Sequence, residues 1–138
     1  MKQTLLLFTV FIFIFISYAN AQQKDSTLQF PLLVKFNSFC CGVPDDSLLR
    51  KSILKFNKKH KIKRITAFRI SPMGKEGEYF LGFMLKELSQ KKKIIFIKTL
   101  IPIIPLMNDK GVAVLEQDFL YNKTDYSTNV SFEKVVFK

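Results

Sequence analysis

Two adjacent cysteines, Cys40 and Cys41, are the side chains of this sequence best suited to covalent chemistry. They sit where an apolar, extended stretch gives way to a helical one, a place where helix N–H groups lower a thiol pKa. Outside a reducing compartment, two neighbouring thiols have three fates: a strained vicinal disulfide, disulfides to other chains, or reduction maintained by burial. Two thiolates can also hold a cuprous ion, which makes copper handling an alternative chemistry. The simpler expectation is structural, with one small apolar side chain turned inward and its neighbour outward. The two-residue spacer of a C-x-x-C redox motif is absent.

His60, the only histidine, lies in the run KKHKIKR. A general base or metal ligand needs a partner that orients it, and the cations around His60 disfavour its charged form. No H-E-x-x-H pattern and no second histidine accompany it, so a helix-terminal surface position is expected. The cations themselves form two groups, Lys58, Lys59, Lys61, Lys63 and Arg64 in one and Lys91, Lys92 and Lys93 in the other. Such groups attract phosphates, lipid headgroups, acidic glycans or acidic proteins over long range, although they also serve as solvated surface. Only their placement on one surface would make them a site.

Other candidates carry less. The run 72–78 (PMGKEGE) has two glycines, Lys75 and the carboxylates Glu76 and Glu78. It lacks both phosphate-loop fingerprints, and a hairpin turn explains its glycines. Paired carboxylates do glycoside hydrolysis only across a cleft, and none is implied here. The aromatics Tyr79, Phe80 and Phe83 depart in register from the signature of RNA-recognition modules, and Glu76 and Glu78 have the wrong sign for phosphates. No nucleic-acid partner is expected. Asn122-Lys123-Thr124 and Asn129-Val130-Ser131 match the glycosylation pattern, whose use depends on the host. No G-x-S-x-G elbow is present, so a serine triad is not expected.

These candidates must be positioned by a small chain. Its 138 residues correspond to one domain, and 48% hydrophobic with 24% charged is a globular composition. With 22 Lys+Arg against 11 Asp+Glu, the formal net charge is +11. One histidine and two cysteines leave almost no material for a metal cluster and no cysteine ladder to staple a scaffold, and no cofactor is expected. Residues 1–21 have the pattern of a secretory signal: Lys2, an apolar stretch from Leu5 to Ile16, then Ala19-Asn20-Ala21. Cleavage is expected after Ala21, with retention as an N-terminal anchor the alternative. The product is expected to be secreted or periplasmic, with 117 residues and net +10, because the segment carries one lysine and no acid. No second run reaches spanning length, since residues 94–107 are interrupted by Lys98, Pro102 and Pro105.

Residues 22–27 are polar and expected to be a disordered lead-in, and residues 28–138 a single domain. Alternation over 30–39 predicts a strand, and Asp45 is a plausible N-cap for a helix over 46–59 with Leu49, Ile53 and Phe56 as its apolar stripe. Residues 62–71 and 78–85 are expected to form a hairpin of strands, and Ser89 to cap a second helix that Pro102 and Pro105 end. Residues 112–121 predict a fourth strand, and 130–137 an edge-type fifth. Strand, helix, strand, strand, helix, strand is the order of a ferredoxin-like (split βαβ) α+β sandwich, an antiparallel sheet with two helices on one face.

That order hosts many functions. The expected function is therefore general: a non-enzymatic binding domain with a basic surface, whose partner is an anionic envelope component or a protein. The alternatives are a thiol-dependent redox or copper-handling protein centred on Cys40 and Cys41, and a small cell-envelope hydrolase or inhibitor without an identifiable catalytic set.

Overall fold

A strand buried on one face must alternate its apolar side chains, and Leu32, Val34 and Phe36 do so within β1, which spans Thr27–Ser38. All three are fully buried. The computed structural model describes residues 27–126 and 129–138. The export signal expected over 1–21 and residues 22–26 of the lead-in expected over 22–27 lie outside the described residues; Thr27, the last residue of that lead-in, already belongs to β1, which begins three residues ahead of the strand expected from Phe30.

The elements that follow are α1 (Ser47–His60), β2 (Ile65–Ser71), β3 (Tyr79–Phe83), α2 (Gln90–Leu100), β4 (Gly111–Asn122) and β5 (Ser131–Phe137). The strands form one antiparallel sheet in the order β4-β1-β3-β2-β5. The chain is thus α+β, with a five-stranded antiparallel sheet and two helices. β5 lies outside β2 at the sheet edge and takes the sheet beyond the four strands of a split βαβ unit.

Both helices cover the same face of the sheet. Leu49, Ile53 and Phe56 of α1 and Phe96 and Leu100 of α2 share one buried cluster with Leu32, Val34, Phe36, Ala67, Leu81 and Phe83 of the strands. Burial of each Leu, Ile, Val or Phe among them contributes roughly 1.5–3 kcal/mol. After α2, Pro102 and Pro105 prevent the helix from continuing, and a 3-10 turn over Ile104–Met107 returns the chain to the core with Ile104 and Met107 buried. No described helix is long and apolar enough to cross a membrane.

The opposite face is covered by the protein's own aromatic side chains. Asp118 takes a positive φ of 52° opposite Pro31, and there β1 and β4 exchange their faces. Ala113 and Leu115 point toward the helices, whereas Phe119 and Tyr121 join Phe30, Leu33, Ile70 and Phe80 on the other side. Lys35 lies over this cluster, 4.8 Å from the Phe119 ring centre and 2.7 Å from Glu116. Tyr79 and Phe83 enter the helix-side core and Phe80 packs edge-on against Phe119 and Tyr126. All three rings are buried.

The start of α1 differs from expectation. Asp46, not Asp45, is the N-cap residue, and its side chain makes no capping bond. Asp45 instead accepts hydrogen bonds from the Ser47 amide and hydroxyl, which hold its carboxyl below the usual range. The Asp46 carboxylate turns to Arg50 and Tyr79, because a bidentate guanidinium and a phenol outcompete a backbone amide for it.

Candidate functional site

The two basic groups meet at one end of the helical layer. The α1 helix ends when Lys61 adopts a left-handed conformation, φ 52° and ψ 46°. Its amide and that of Ile62 bond back to the carbonyls of Lys58 and Asn57, at 3.4 and 2.9 Å. This closure folds Ile62 back against the core and sends Lys61, Lys63 and Arg64 outward. Helix α2 starts beside them from Ser89, which has an extended backbone and no side-chain cap bond. Its first turn contains no acidic residue.

Lys92 joins the two helix ends by donating from Nζ to the His60 carbonyl at 3.1 Å. The carbonyls of Asn57, Lys58 and His60 at the negative end of α1 are therefore occupied, while the positive end of α2 has no acid in its first turn. Between them lies a cleft of ≈ 380 Å³ lined by Lys61, Ile62, Lys63, Arg64, Glu87 and Lys92. Among the described residues the two ion pairs are Lys35 with Glu116 and Arg50 with Asp46. None of the cleft's four cations is ion-paired. Glu87 is the one acid lining the cleft, and it accepts a hydrogen bond from the Thr66 hydroxyl at 2.6 Å.

Of the eight basic candidates, the cleft brings together Lys61, Lys63, Arg64 and Lys92. Lys59 lies instead on a second groove of ≈ 490 Å³ between the helices, with Ser52, Lys55, Phe56, His60, Ile95, Thr99 and Ile103. Lys58, Lys91 and Lys93 line neither of these two hollows. His60 is half-buried, its ring 4.4 Å from that of Phe56, so it packs over the helix surface. Sequence reasoning missed Glu87 and Ile62, whose place in the cleft depends on contacts between distant parts of the chain.

Cys40 and Cys41 are both free and both exposed. Their sulfurs lie 3.0 Å apart, in hydrogen-bond contact. The contact with Cys41, ahead of desolvation and the charge of Glu76, pushes the Cys40 thiol above its usual value. The first turn of α1 begins at Ser47, six residues beyond Cys41. No group of three or more His, Cys, Asp or Glu side chains suited to a metal occurs among the described residues.

The glycine-containing turn closes on itself. Glu78 accepts from the Glu76 amide at 2.8 Å, and its carbonyl accepts from the Met73 amide at 2.8 Å. The two carboxylates therefore belong to a hairpin turn, not to opposite walls of a cleft.

One further cluster had no signal in the sequence. Asp46 accepts from Arg50 at 2.7 and 2.9 Å and from the Tyr79 hydroxyl at 3.0 Å, while the Arg69 guanidinium lies 3.8 Å from the Tyr79 ring centre. It joins α1, β2 and β3, and its groups satisfy one another. Compared with protein families, curated proteins and solved structures, the chain matches none of the three.

Proposed function

We propose that this chain is an exported, non-enzymatic domain that binds an anionic partner through the cleft between the end of α1 and the start of α2. One observation carries the reading: Lys61, Lys63, Arg64 and Lys92, from two separate basic runs, line a single cleft. Among the described residues the four cations form no ion pair, and their combined charge attracts a multivalent anion. The segment 1–21 acts in this reading as a signal removed after Ala21, leaving a secreted or periplasmic product. The architecture is read as a split βαβ sandwich enlarged by β5, supported by β3 lying between β1 and β2 in an antiparallel sheet.

Retention on a phosphate-bearing matrix tests the function. Wild-type protein is retained at low salt and released as salt rises, since screening shortens the reach of the charges. Substituting Lys61, Lys63, Arg64 and Lys92 by Gln abolishes retention, whereas the same change at Lys51, Lys75, Lys123 and Lys134 leaves most of it. Equal losses from the two variants would reduce the cleft to ordinary surface charge.

The thiol reading rests on a different observation, two exposed sulfurs 3.0 Å apart. The raised Cys40 thiol opposes nucleophilic chemistry there, because the thiolate is the reactive form.

A further inference from the structure

The outer surface of the helical layer combines charge of one sign with exposed aliphatic side chains. No acid occurs from Ser47 to Lys75 or from Gln90 to Asn108. Between the helices' buried stripes, α1 exposes Lys51, Lys55, Lys58 and Lys59. On α2, Lys91, Ile94, Lys98 and Ile101 recur at three- and four-residue intervals and so form one outward row. Ile94 is 49% exposed, Ile101 50%, and Leu106 in the following turn 70%. Beside this row runs the groove whose walls include Phe56, Ile95 and Ile103, with Lys55 and Lys59 at its rim.

This layer presents branched aliphatics alternating with lysines, without tryptophan or tyrosine. Lysine is depleted at protein–protein interfaces, whose energetic centres are usually Trp, Tyr and Arg. Lysine beside exposed aliphatics is instead the composition of helices that lie in the plane of a membrane surface. The long lysine stems cover apolar surface while the ammonium groups reach headgroup phosphates.

We propose that the helical layer docks on an anionic bilayer, with Ile94, Ile101 and Leu106 entering the headgroup–acyl boundary and Lys91, Lys98, Lys55 and Lys59 contacting lipid phosphates. This rests on the anion-binding reading and gives its partner a chemical class. The cleft of Lys61, Lys63, Arg64 and Lys92 then receives a headgroup at the edge of the docked face. Docking removes the exposed aliphatics from water and brings the lysines to an anionic leaflet, so both kinds of side chain add to the affinity.

The chain contains no tryptophan, so one introduced indole reports its own position. The full chain carrying Ile101→Trp, and separately Leu106→Trp, is mixed with phosphatidylglycerol–phosphatidylcholine vesicles and with phosphatidylcholine vesicles. The apolar run 5–16 can attach the chain to either lipid, but the indole at position 101 or 106 is shielded only if the helical layer docks. The expected result is a blue shift and protection from an aqueous quencher with the anionic vesicles alone. Substituting Lys91 and Lys98 by Gln lowers the affinity about 30-fold, at about fivefold per charge.

An unshifted indole with anionic vesicles, while inorganic polyphosphate still binds through Lys61, Lys63, Arg64 and Lys92, overturns bilayer docking and leaves the anion reading intact. Loss of polyphosphate binding as well overturns both. Equal shifts with the two lipids remove charge from the proposal and overturn it. A shift caused by polyglutamate but by neither vesicle overturns the bilayer in favour of an acidic protein.

Discussion

The Tyr79 hydroxyl on β3 donates a 3.0 Å hydrogen bond to the carboxylate of Asp46, the residue that opens α1. The same carboxylate holds Arg50 through two short bonds and is largely buried. A hydrogen bond to a charged acceptor contributes about 1.5–3 kcal/mol. Tyr79→Phe is therefore expected to lower unfolding free energy by that amount in urea. Asp46→Ala costs more, because it also strips Arg50 of its partner. A double-mutant cycle between positions 46 and 79 gives a coupling well above zero, and a coupling of zero would remove the bond from the account.

Alkaline pH acts on the same pair. Burial, then the Asp46 charge and hydrogen bond, push the Tyr79 phenol above its usual value of 10.0. Between the unfolded and folded values the native state holds a proton that the unfolded state has released, so stability falls as pH rises. The contribution is intact below pH 10 and is lost progressively above it. Denaturant midpoints measured from pH 8 upward should fall above about pH 10, and Tyr79→Phe should flatten that slope. Tyr121 titrates high as well, chiefly from desolvation, so part of the slope persists in the variant.

Gly82 supports the second core cluster by lacking a side chain. A Cβ at this position would stand 2.6 Å from the Phe30 ring, which lies across the backbone of β3. Gly82→Ala is expected to cost about 1–3 kcal/mol through overpacking. Shortening the ring with Phe30→Leu in the same chain should recover part of the loss, since the clash belongs to that pair. Two independent, additive penalties would show that Gly82 is needed for its backbone instead.

The contrast between these residues explains what the sequence discloses. Leu32, Val34 and Phe36, or Leu49, Ile53 and Phe56, announce their elements because a strand repeats every two residues and a helix every 3.6. The face exchange at Pro31 and Asp118 follows no period, since it depends on two strands twisting together after pairing. Likewise the charge of Lys61, Lys63, Arg64 and Lys92 was visible, but their convergence needed α2 to start beside the end of α1. Asp46, Arg50 and Tyr79 look like unrelated surface residues until β3 is placed under α1.

The thiols should be separable from the fold. Cys40 and Cys41 are exposed and contribute no side chain to either core cluster. The substitutions Cys40→Ser and Cys41→Ser together should change unfolding free energy by less than about 0.5 kcal/mol, as for surface positions. Both thiols should react with an alkylating agent without denaturant, giving a mass increase of two adducts. Alkylation should be slower near neutral pH than for an unperturbed thiol, because Cys40 resists ionisation. Failure of either thiol to react would show that it is already oxidised or covered.

Lys61 separates binding from stability. Its left-handed backbone, φ 52°, ends α1 and suits glycine better than any residue with a Cβ. Relief of that strain should make Lys61→Gly more stable by about 0.5–1 kcal/mol, less the entropy glycine gains when unfolded. The same change removes one of the four cations lining the cleft and should weaken retention on the phosphate matrix. Lys61→Asn tolerates the left-handed conformation and also removes the charge, so it should bind as weakly as the glycine variant. Binding and stability that fall together would mean that the cleft depends on the lysine for its shape; opposite movements assign the lysine to the anion.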